Sequence, residues 1–314
     1  MEKICAVVVT YNRLDCLKQA LNALEQQSFP LSGILVFDNH SSDNTIDYLK
    51  NQGYSEIKGG QEKHISRSYF CSESNLGGSG GFSNAVKIAS KGDFDYLWIM
   101  DDDVAPVENC LSLLLNSMQM NKVQVGIPAR IGENFTDKVC VDLDMANFFK
   151  FFIWWRKKYA KHPLKRDTYL VQDMTFEGPL INTSVIKKAG IPDSSYFIQF
   201  DDTDYAQRLL HYSKILYVKD AVLERQLPAK VIKKDEKKEP MNWKDYYFIR
   251  NNIAFDKRYG KRSSVRVLSP VLMIIYYLLL SVKDGNLKVN FPILMKAAYH
   301  GMTGKMGKRV DPNY

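Results

Sequence analysis

Tyr96-Leu97-Trp98-Ile99-Met100-Asp101-Asp102-Asp103-Val104 is the stretch from which the fold can be read. Residues 96–100 are a short apolar run of β-prone side chains, the length of a buried strand. The run ends in three consecutive carboxylates, which repel one another and are costly to hold together without a cation. Side chains alternate along an extended segment, so Asp101 and Asp103 are expected on one side and Asp102 on the other. Two oxygen donors so placed suit a hard divalent ion whose shell is completed by substrate phosphates. The plainer alternative is a solvated acidic turn capping a helix that starts near Pro106, with Asp103 near its N-cap. A strand running straight into the triplet favours the ligand site, because ligands in α/β sheets bind at the carboxyl ends of strands.

Upstream, residues 4–10 read as an apolar parallel strand ending in Thr10-Tyr11-Asn12-Arg13. Leu14, Leu17, Ala20, Leu21 and Leu24 then recur at helical spacing. A second strand, 34–37, runs into Asp38-Asn39-His40-Ser41-Ser42-Asp43. That loop suits a small polar ligand; equally, it is an Asx/Ser turn with Asp43 as N-cap. A third strand near 69–71 leads to Asn75-Leu76-Gly77-Gly78-Ser79-Gly80-Gly81-Phe82, followed by a helix over 82–90. Strand–helix alternation with polar loops after the strands predicts an α/β fold, a mostly parallel sheet holding a nucleotide along its carboxyl edge. The glycines can cradle phosphate or let a sugar approach the backbone. They are not a dinucleotide fingerprint, since the spacing is wrong and they come late. Nor are they a P-loop, since no Gly-Lys-Ser/Thr follows.

Downstream, a helix is expected over 111–118 and strands over 123–127 and 171–176, then a helix over 182–189. Residues 148–159 mix aromatic and basic side chains, suited either to a membrane face or lipid-linked acceptor, or to a loop folded over a cleft. Residues 196–200 read as a second strand running into acids, Asp201, Asp202 and Asp204. Helix capping accounts for one of these but not for all three. Short extended pieces, 216–218 and 221–223, lead to Glu224-Arg225-Gln226. Residues 1–228 thus form the catalytic unit, 229–241 a charged linker, and 242–314 a basic, helical tail. In the tail, 267–282 is nearly all apolar but shorter than the ~20 residues a span usually needs. It reads as an in-plane or hairpin membrane helix, or as a packing helix. Lys296, His300, Lys305, Lys308 and Arg309 follow among apolar residues, as on an amphipathic helix lying on anionic lipid. Homo-oligomer contact is the rival use of this tail. Nucleic acid suits it less, because the basic residues alternate with long apolar runs.

The 314 residues carry a net charge of +8, with 45% hydrophobic and 25% charged residues, the composition of an ordinary globular protein. Cys5, Cys16, Cys71, Cys110 and Cys140 are scattered without a CxxC pair, so neither a disulfide framework nor a zinc site is expected, and the compartment is a reducing one. The first strand begins almost at once, and no signal peptide is expected.

Together these motifs resemble the inverting family-2 glycosyltransferases with a GT-A fold. Val7-Val8-Val9-Thr10-Tyr11-Asn12-Arg13 is similar to their opening strand and loop, and residues 37–43 to their uracil- and ribose-binding loop. Trp98-Ile99-Met100-Asp101-Asp102-Asp103 resembles their metal-binding aspartate motif. Residues 75–82, 197–205 and 246–251 look most like galactofuranosyltransferases and their rhamnosyltransferase-like relatives. The resemblance implies that Thr10, Tyr11, Arg13 and Asp38 hold the nucleoside. Asn75, Gly80, Gly81, Trp98, Asp101 and Asp102 would contact the donor. Asp202 would be the catalytic base, and Asp201 would bind acceptor or donor sugar. Asp103 and Asp101 would hold Mn2+ or Mg2+. The polymerases of this group place a metal-binding His where this chain has Gln226, so Glu224 or Gln226 is expected to serve instead. The implied reaction is hexosyl transfer, galactofuranosyl before rhamnosyl, from a UDP-sugar or dTDP-rhamnose to a lipid-linked cell-surface glycan. It would take place in the cytoplasm on the inner face of the membrane. A non-catalytic nucleotide-sugar-binding protein is the alternative of a different class.

Overall fold

The computed structural model describes residues 2–58, 65–229 and 239–312. The charged linker expected at 229–241 lies largely outside them. The strands are β1 (Ile4–Thr10), β2 (Gly33–Asp38), β3 (Ser55–Glu56), β4 (Arg67–Cys71), β5 (Tyr96–Asp101), β6 (Val104–Pro106), β7 (Val125–Ile131), β8 (Cys140–Leu143), β9 (Lys157–Tyr159), β10 (Thr168–Val171), β11 (Leu180–Asn182) and β12 (Ile215–Arg225). The helices are α1 (Leu14–Glu25), α2 (Thr45–Asn51), α3 (Gly77–Ala89), α4 (Cys110–Met120), α5 (Ile153–Arg156), α6 (Thr183–Ala189), α7 (Asp201–Leu209), α8 (Trp243–Tyr259), α9 (Ser263–Lys283) and α10 (Leu287–Thr303).

The main sheet runs β10-β12-β7-β11-β5-β1-β2-β4-β3, with β6 on β12. β1 pairs in parallel with both β2 and β5. The register sets Thr10 beside Asp38 and Val9 beside Asp101. Three strands therefore end level, and their following loops share one edge of the sheet. β11 enters antiparallel between β5 and β7, so the sheet is mixed. Alternation along the strands fills both faces. Val7, Val9, Phe37 and Ile99 pack with α3, α6 and α7, and Val8, Val36, Trp98 and Met100 pack with α1 and α4.

Several boundaries differ from the sequence reading. The glycine run is helical, forming the first turns of α3. Residues 196–200 are not a strand. A short 3-10 turn, Ser194–Tyr196, is followed by Phe197, Gln199 and Phe200 at positive φ, and α7 starts at Asp201 itself. Of the expected 171–176 strand only Val171 is extended in a sheet, as the last residue of β10, and 172–176 form a loop. The two pieces at 216–223 are one strand, β12, interrupted by a bulge between Val218 and Val222. The apolar tail helix is longer than the pattern suggested: α9 has 21 residues, long and apolar enough to cross a membrane by length and composition.

The tail helices share a hydrophobic cluster with the rest of the chain. Phe152 and Phe197 pack among Tyr246, Tyr247, Ile249, Met273 and Leu294. Buried Arg250 donates to the carbonyls of Tyr196 and Gly307, and Asn251 to those of Tyr196, Ile198 and Gln199. The tail thereby holds the turn that delivers Asp201 and Asp202.

Candidate active site

A cavity of about 810 Å3 opens where the ends of β1 and β5 face the start of α7, within the size range of small-molecule sites. Of the residues expected to act, Thr10, Tyr11, Arg13, Asn75, Asp101, Asp102, Asp201 and Asp202 all line it. Residues far apart in sequence thus meet across one space.

The β1 loop is fastened to the aspartate triplet. Asp102 Oδ2 accepts from Thr10 Oγ1 at 2.7 Å and from the Tyr11 backbone N–H at 3.3 Å. Arg13 spans Asp102 at 3.2 Å and Asp103 at 2.8 Å. Strict alternation across the triplet does not hold, because β5 ends at Asp101 and a turn follows. Asp101 and Asp102 both reach the cavity; Asp103 does not line it. Burial pushes Asp101 well above the usual carboxylate range, and the neighbouring charges of Asp103, Asp102 and Glu177 add to the rise.

Across the cavity, Asp201 and Asp202 occupy the first turn of α7. The freed amides of a helix N-terminus favour negative charge there, and the Thr203 N–H reaches Asp202 Oδ1 at 2.7 Å. Burial nevertheless dominates and raises both carboxyls, Asp201 further through the charge of Asp202. Asp173 also raises Asp202, while Lys157 opposes it; these two form an ion pair of 2.5 Å. Asp204 has a structural task. Its carboxylate takes Tyr196 OH at 3.1 Å, Arg208 at 3.0 Å, and Arg258 and Tyr259 OH at 2.7 Å each.

Some expected residues stand elsewhere. Asp38 is fully buried and accepts from the Ser41 N–H, at 3.1 Å to the nearer oxygen, and from the Cys71 thiol. Its neighbour Asn39 reaches the cavity instead, donating to Asn75 Oδ1 and Gly77 O. Trp98 is fully buried on the opposite face of the sheet and gives its indole N–H to Gly178 O. Gly80 and Gly81 serve close packing: a Cβ on Gly81 would come within 2.8 Å of Val9 Cγ1, and one on Gly80 within 2.5 Å of Leu76 Cβ. Gly77 and Gly78 are the glycines that line the cavity. Glu224 is exposed on β12, opposite Ala105. Gln226 lies behind the triplet, its side-chain amide donating to Cys16 O and Asp102 O, while its buried Oε1 has no partner.

No cluster of three or more His, Cys, Asp or Glu groups able to hold a metal exists among the described residues. The donor set still fits a hard divalent ion held jointly with phosphate. Asp101 brings a buried carboxylate to the cavity, whereas Asp103 is paired with Arg13 outside its lining and Gln226 is bonded behind the triplet, so phosphate oxygens would supply most of the shell.

Sequence reasoning missed Asn39, Glu177, Phe197, Trp243, Lys244 and Lys308, all of which line the cavity. Asn39 was within the quoted loop. Glu177, held by Arg130 at 2.8 Å and Arg225 at 3.5 Å, heads the turn after β10. Trp243 and Lys244 had no local signal, and Lys308, expected on an amphipathic helix, lies beyond the end of α10 and lines the cavity.

The sequence model of Glycosyl transferase family 2 matches residues 5–190. Galactofuranosyltransferase GlfT1 of Mycolicibacterium smegmatis is 25% identical over 217 residues, 67% of this chain and 66% of that protein. Its Mycobacterium tuberculosis counterpart is 26% identical over 212 residues, 67% of this chain and 65% of that protein. The match thus spans just under two thirds of these relatives. Among solved structures, Staphylococcus aureus TarS 1–349 in complex with UDP-GlcNAc superposes with a TM-score of 0.54 at 13% identity, over 96% of this chain and 81% of that one. GalNAc-T7 with UDP, GalNAc and Mn2+ gives a TM-score of 0.55 at 13% identity, over 85% and 54%. At such identities these two establish likeness of fold.

Proposed function

The chain belongs to glycosyl transferase family 2, and we propose that it performs an inverting transfer of a hexosyl residue from a nucleoside-diphosphate sugar to a hydroxyl of a lipid-linked glycan. UDP-galactofuranose is the donor best supported, by the names of the relatives and by the motifs at 75–82 and 197–205. Uridine diphosphate is further supported by the ligands of the structural neighbours. dTDP-rhamnose is the competing donor.

The observation that carries the reading is the meeting of Asp101 and Asp202, from separate elements, across one cavity. An inverting centre needs the leaving diphosphate on one side of the anomeric carbon and a base on the other. Asp202 would take the proton of the acceptor hydroxyl as that oxygen bonds to the anomeric carbon and the bond to diphosphate breaks. Its raised affinity for protons suits that role. Asn39 and Asn75 bring amide groups to the donor side, and Phe82, Phe176 and Phe197 narrow the space open to water. A divalent ion held by Asp101 with the diphosphate oxygens, and by Asp103 once its ion pair with Arg13 opens, would neutralise charge on the leaving group.

Membrane attachment at the inner face is supported by the tail. Val267, Val271, Ile275, Leu279 and Val282 form an exposed stripe on α9, and Phe291, Met295 and Tyr299 one on α10. Lys283, Lys288 and Lys296 lie along the same helices, the arrangement of a helix pair resting on anionic lipid.

A donor panel tests the reaction. Transfer from UDP-galactofuranose should exceed that from dTDP-rhamnose, and Asp202→Asn should lower it by at least about a hundredfold, with UDP affinity unchanged by titration calorimetry. Near-full activity in that variant would remove Asp202 as base; nucleotide-sugar binding without product from the native chain would remove catalysis.

A further inference from the structure

Glu177 faces two cavities. It lines the central one, and with Thr175 it also lines a smaller chamber of about 40 Å3. The transfer chemistry leaves it without a task, yet its backbone is tightly placed. The Gly178 N–H donates to Ile99 O at 2.9 Å and the Ile99 N–H to Pro179 O at 3.0 Å, which fastens the turn to β5 two residues before Asp101. Gly178 has φ +87, and a Cβ there would come within 2.7 Å of Leu223 Cδ1 and 2.8 Å of Pro128 Cγ, so the turn has no room to slide.

The two oxygens of the Glu177 carboxylate are treated differently. Oε2 accepts from Arg130 Nη1 at 2.8 Å. Arg130 is fixed in turn by Asp137 at 2.6 Å, and donates to Thr175 Oγ1 at 2.9 Å. Oε1 has only Arg225 Nε, 3.5 Å away, and that nitrogen makes no hydrogen bond. A carboxylate can only accept, so Oε1 is an acceptor waiting for a donor. Its place in the cavity says which ligand can bring one. Burial is the main reason that Asp101 and Asp202 are raised, and the charge of Glu177 adds to the rise at both, so Glu177 is within reach of the leaving-group side and of the base side together. A glycosyl group in transit has to lie between those two sides. Phosphate is repelled from this wall by the surrounding acids, whereas a sugar hydroxyl supplies the missing donor. A methyl or methylene in its place would leave a carboxylate oxygen desolvated and unpaired, which discriminates strongly.

We propose that Glu177 is a specificity-determining residue for the transferred sugar, its Oε1 accepting a hydrogen bond from one hydroxyl of the glycosyl group. This rests on the glycosyl-transfer reading only in placing that group between Asp101 and Asp202. The test is a cycle between residue and ligand. UDP, UDP-galactofuranose and its 2-, 3-, 5- and 6-deoxy forms are titrated calorimetrically into the native chain, Glu177→Gln and Glu177→Leu. For one of the four deoxy forms the native chain should lose at least about tenfold in affinity. Glu177→Leu should lose about as much for the parent sugar nucleotide and nothing further for that same deoxy form. Glu177→Gln, which keeps a neutral acceptor oxygen, should fall between. UDP carries no glycosyl group and should bind all three chains alike. Additive losses for all four deoxy forms would overturn the proposal, as would an equal loss of UDP affinity in Glu177→Leu, which would place its effect on the fold or the nucleotide. Tighter binding of dTDP-rhamnose than of UDP-galactofuranose by the native chain would strike the donor named above and not Glu177, which the same cycle with dTDP-rhamnose and its 2-, 3- and 4-deoxy forms then decides.

Discussion

Asp202 sits in a balance of opposing effects that can be tilted from either side. Burial raises its carboxyl above the usual range, the charge of Asp173 raises it further, Lys157 opposes both, and Glu177 adds to the rise. If Asp202 is the base proposed above it works ionised, so a raised pKa moves the acid limb of the kcat/KM profile to higher pH than an exposed carboxylate would give. Activity should therefore climb with pH through that limb and then level. Lys157→Met removes the opposing cation and leaves Asp173 unpaired, and both changes raise Asp202 further, so the limb should move up. Asp173→Asn removes a repelling charge and should move it down. A pH–rate series on the two variants checks this, and displacement of both in the same direction would contradict it. That Asp202 reaches the cavity was legible, because an acid pair after an aromatic run is a local signal. Lys157 and Asp173 were not. They come from β9 and the segment after β10, and only the folded chain brings them to α7.

At the scale of the element, the glycines at 77–81 show how a correct motif can be misassigned in structure. Consecutive glycines read as a loop because glycine weakens helices, yet the chain uses them to start α3. The reason is steric. Gly77 has φ +74, and a Cβ there would lie 2.2 Å from Phe197 O and 2.6 Å from its ring. Gly81 lets the same helix approach Val9 of β1. The helix start thus fits against the turn that precedes Asp201, and the Ser79 N–H donates to Phe197 O at 3.1 Å. The 196–200 segment was misread for a related reason. Its aromatic residues favour strands, but Arg250 and Asn251 capture its carbonyls and hold Phe197, Gln199 and Phe200 at positive φ. Gly77→Ala should accordingly cost about 2–4 kcal/mol through backbone strain and overpacking. Urea denaturation measures it, and a change below about 0.5 kcal/mol would mean that the helix start can shift freely.

The parallel strands and the donor edge were legible because they depend on local apolar runs and on loops at strand ends. The tail was legible only as composition. Its inward task depends on long-range pairs: Arg156 with Asp256 at 3.0 Å, and Arg258 with Asp204 at 2.7 Å. These tie it to α5 and to α7, so the tail both shapes the cavity mouth and carries the apolar stripes. Only one side of α9 is committed to packing, through Val265, Ser269, Pro270 and Met273. Leu279 is 66% exposed and Ile275 46%, so replacing both with Asp should leave the fold intact. If the stripe rests on lipid, Ile275→Asp/Leu279→Asp removes burial of two aliphatic side chains, about 2 kcal/mol after allowing for their partial contact with protein. That is about a thirtyfold loss of partitioning. Flotation with anionic liposomes reads it directly. Binding of the native chain should fall as salt rises, because Lys283, Lys288 and Lys296 meet the surface through screened charge. A variant that floats like the native chain, or a native chain that stays monomeric and unbound at low salt, would take the stripe away from the membrane.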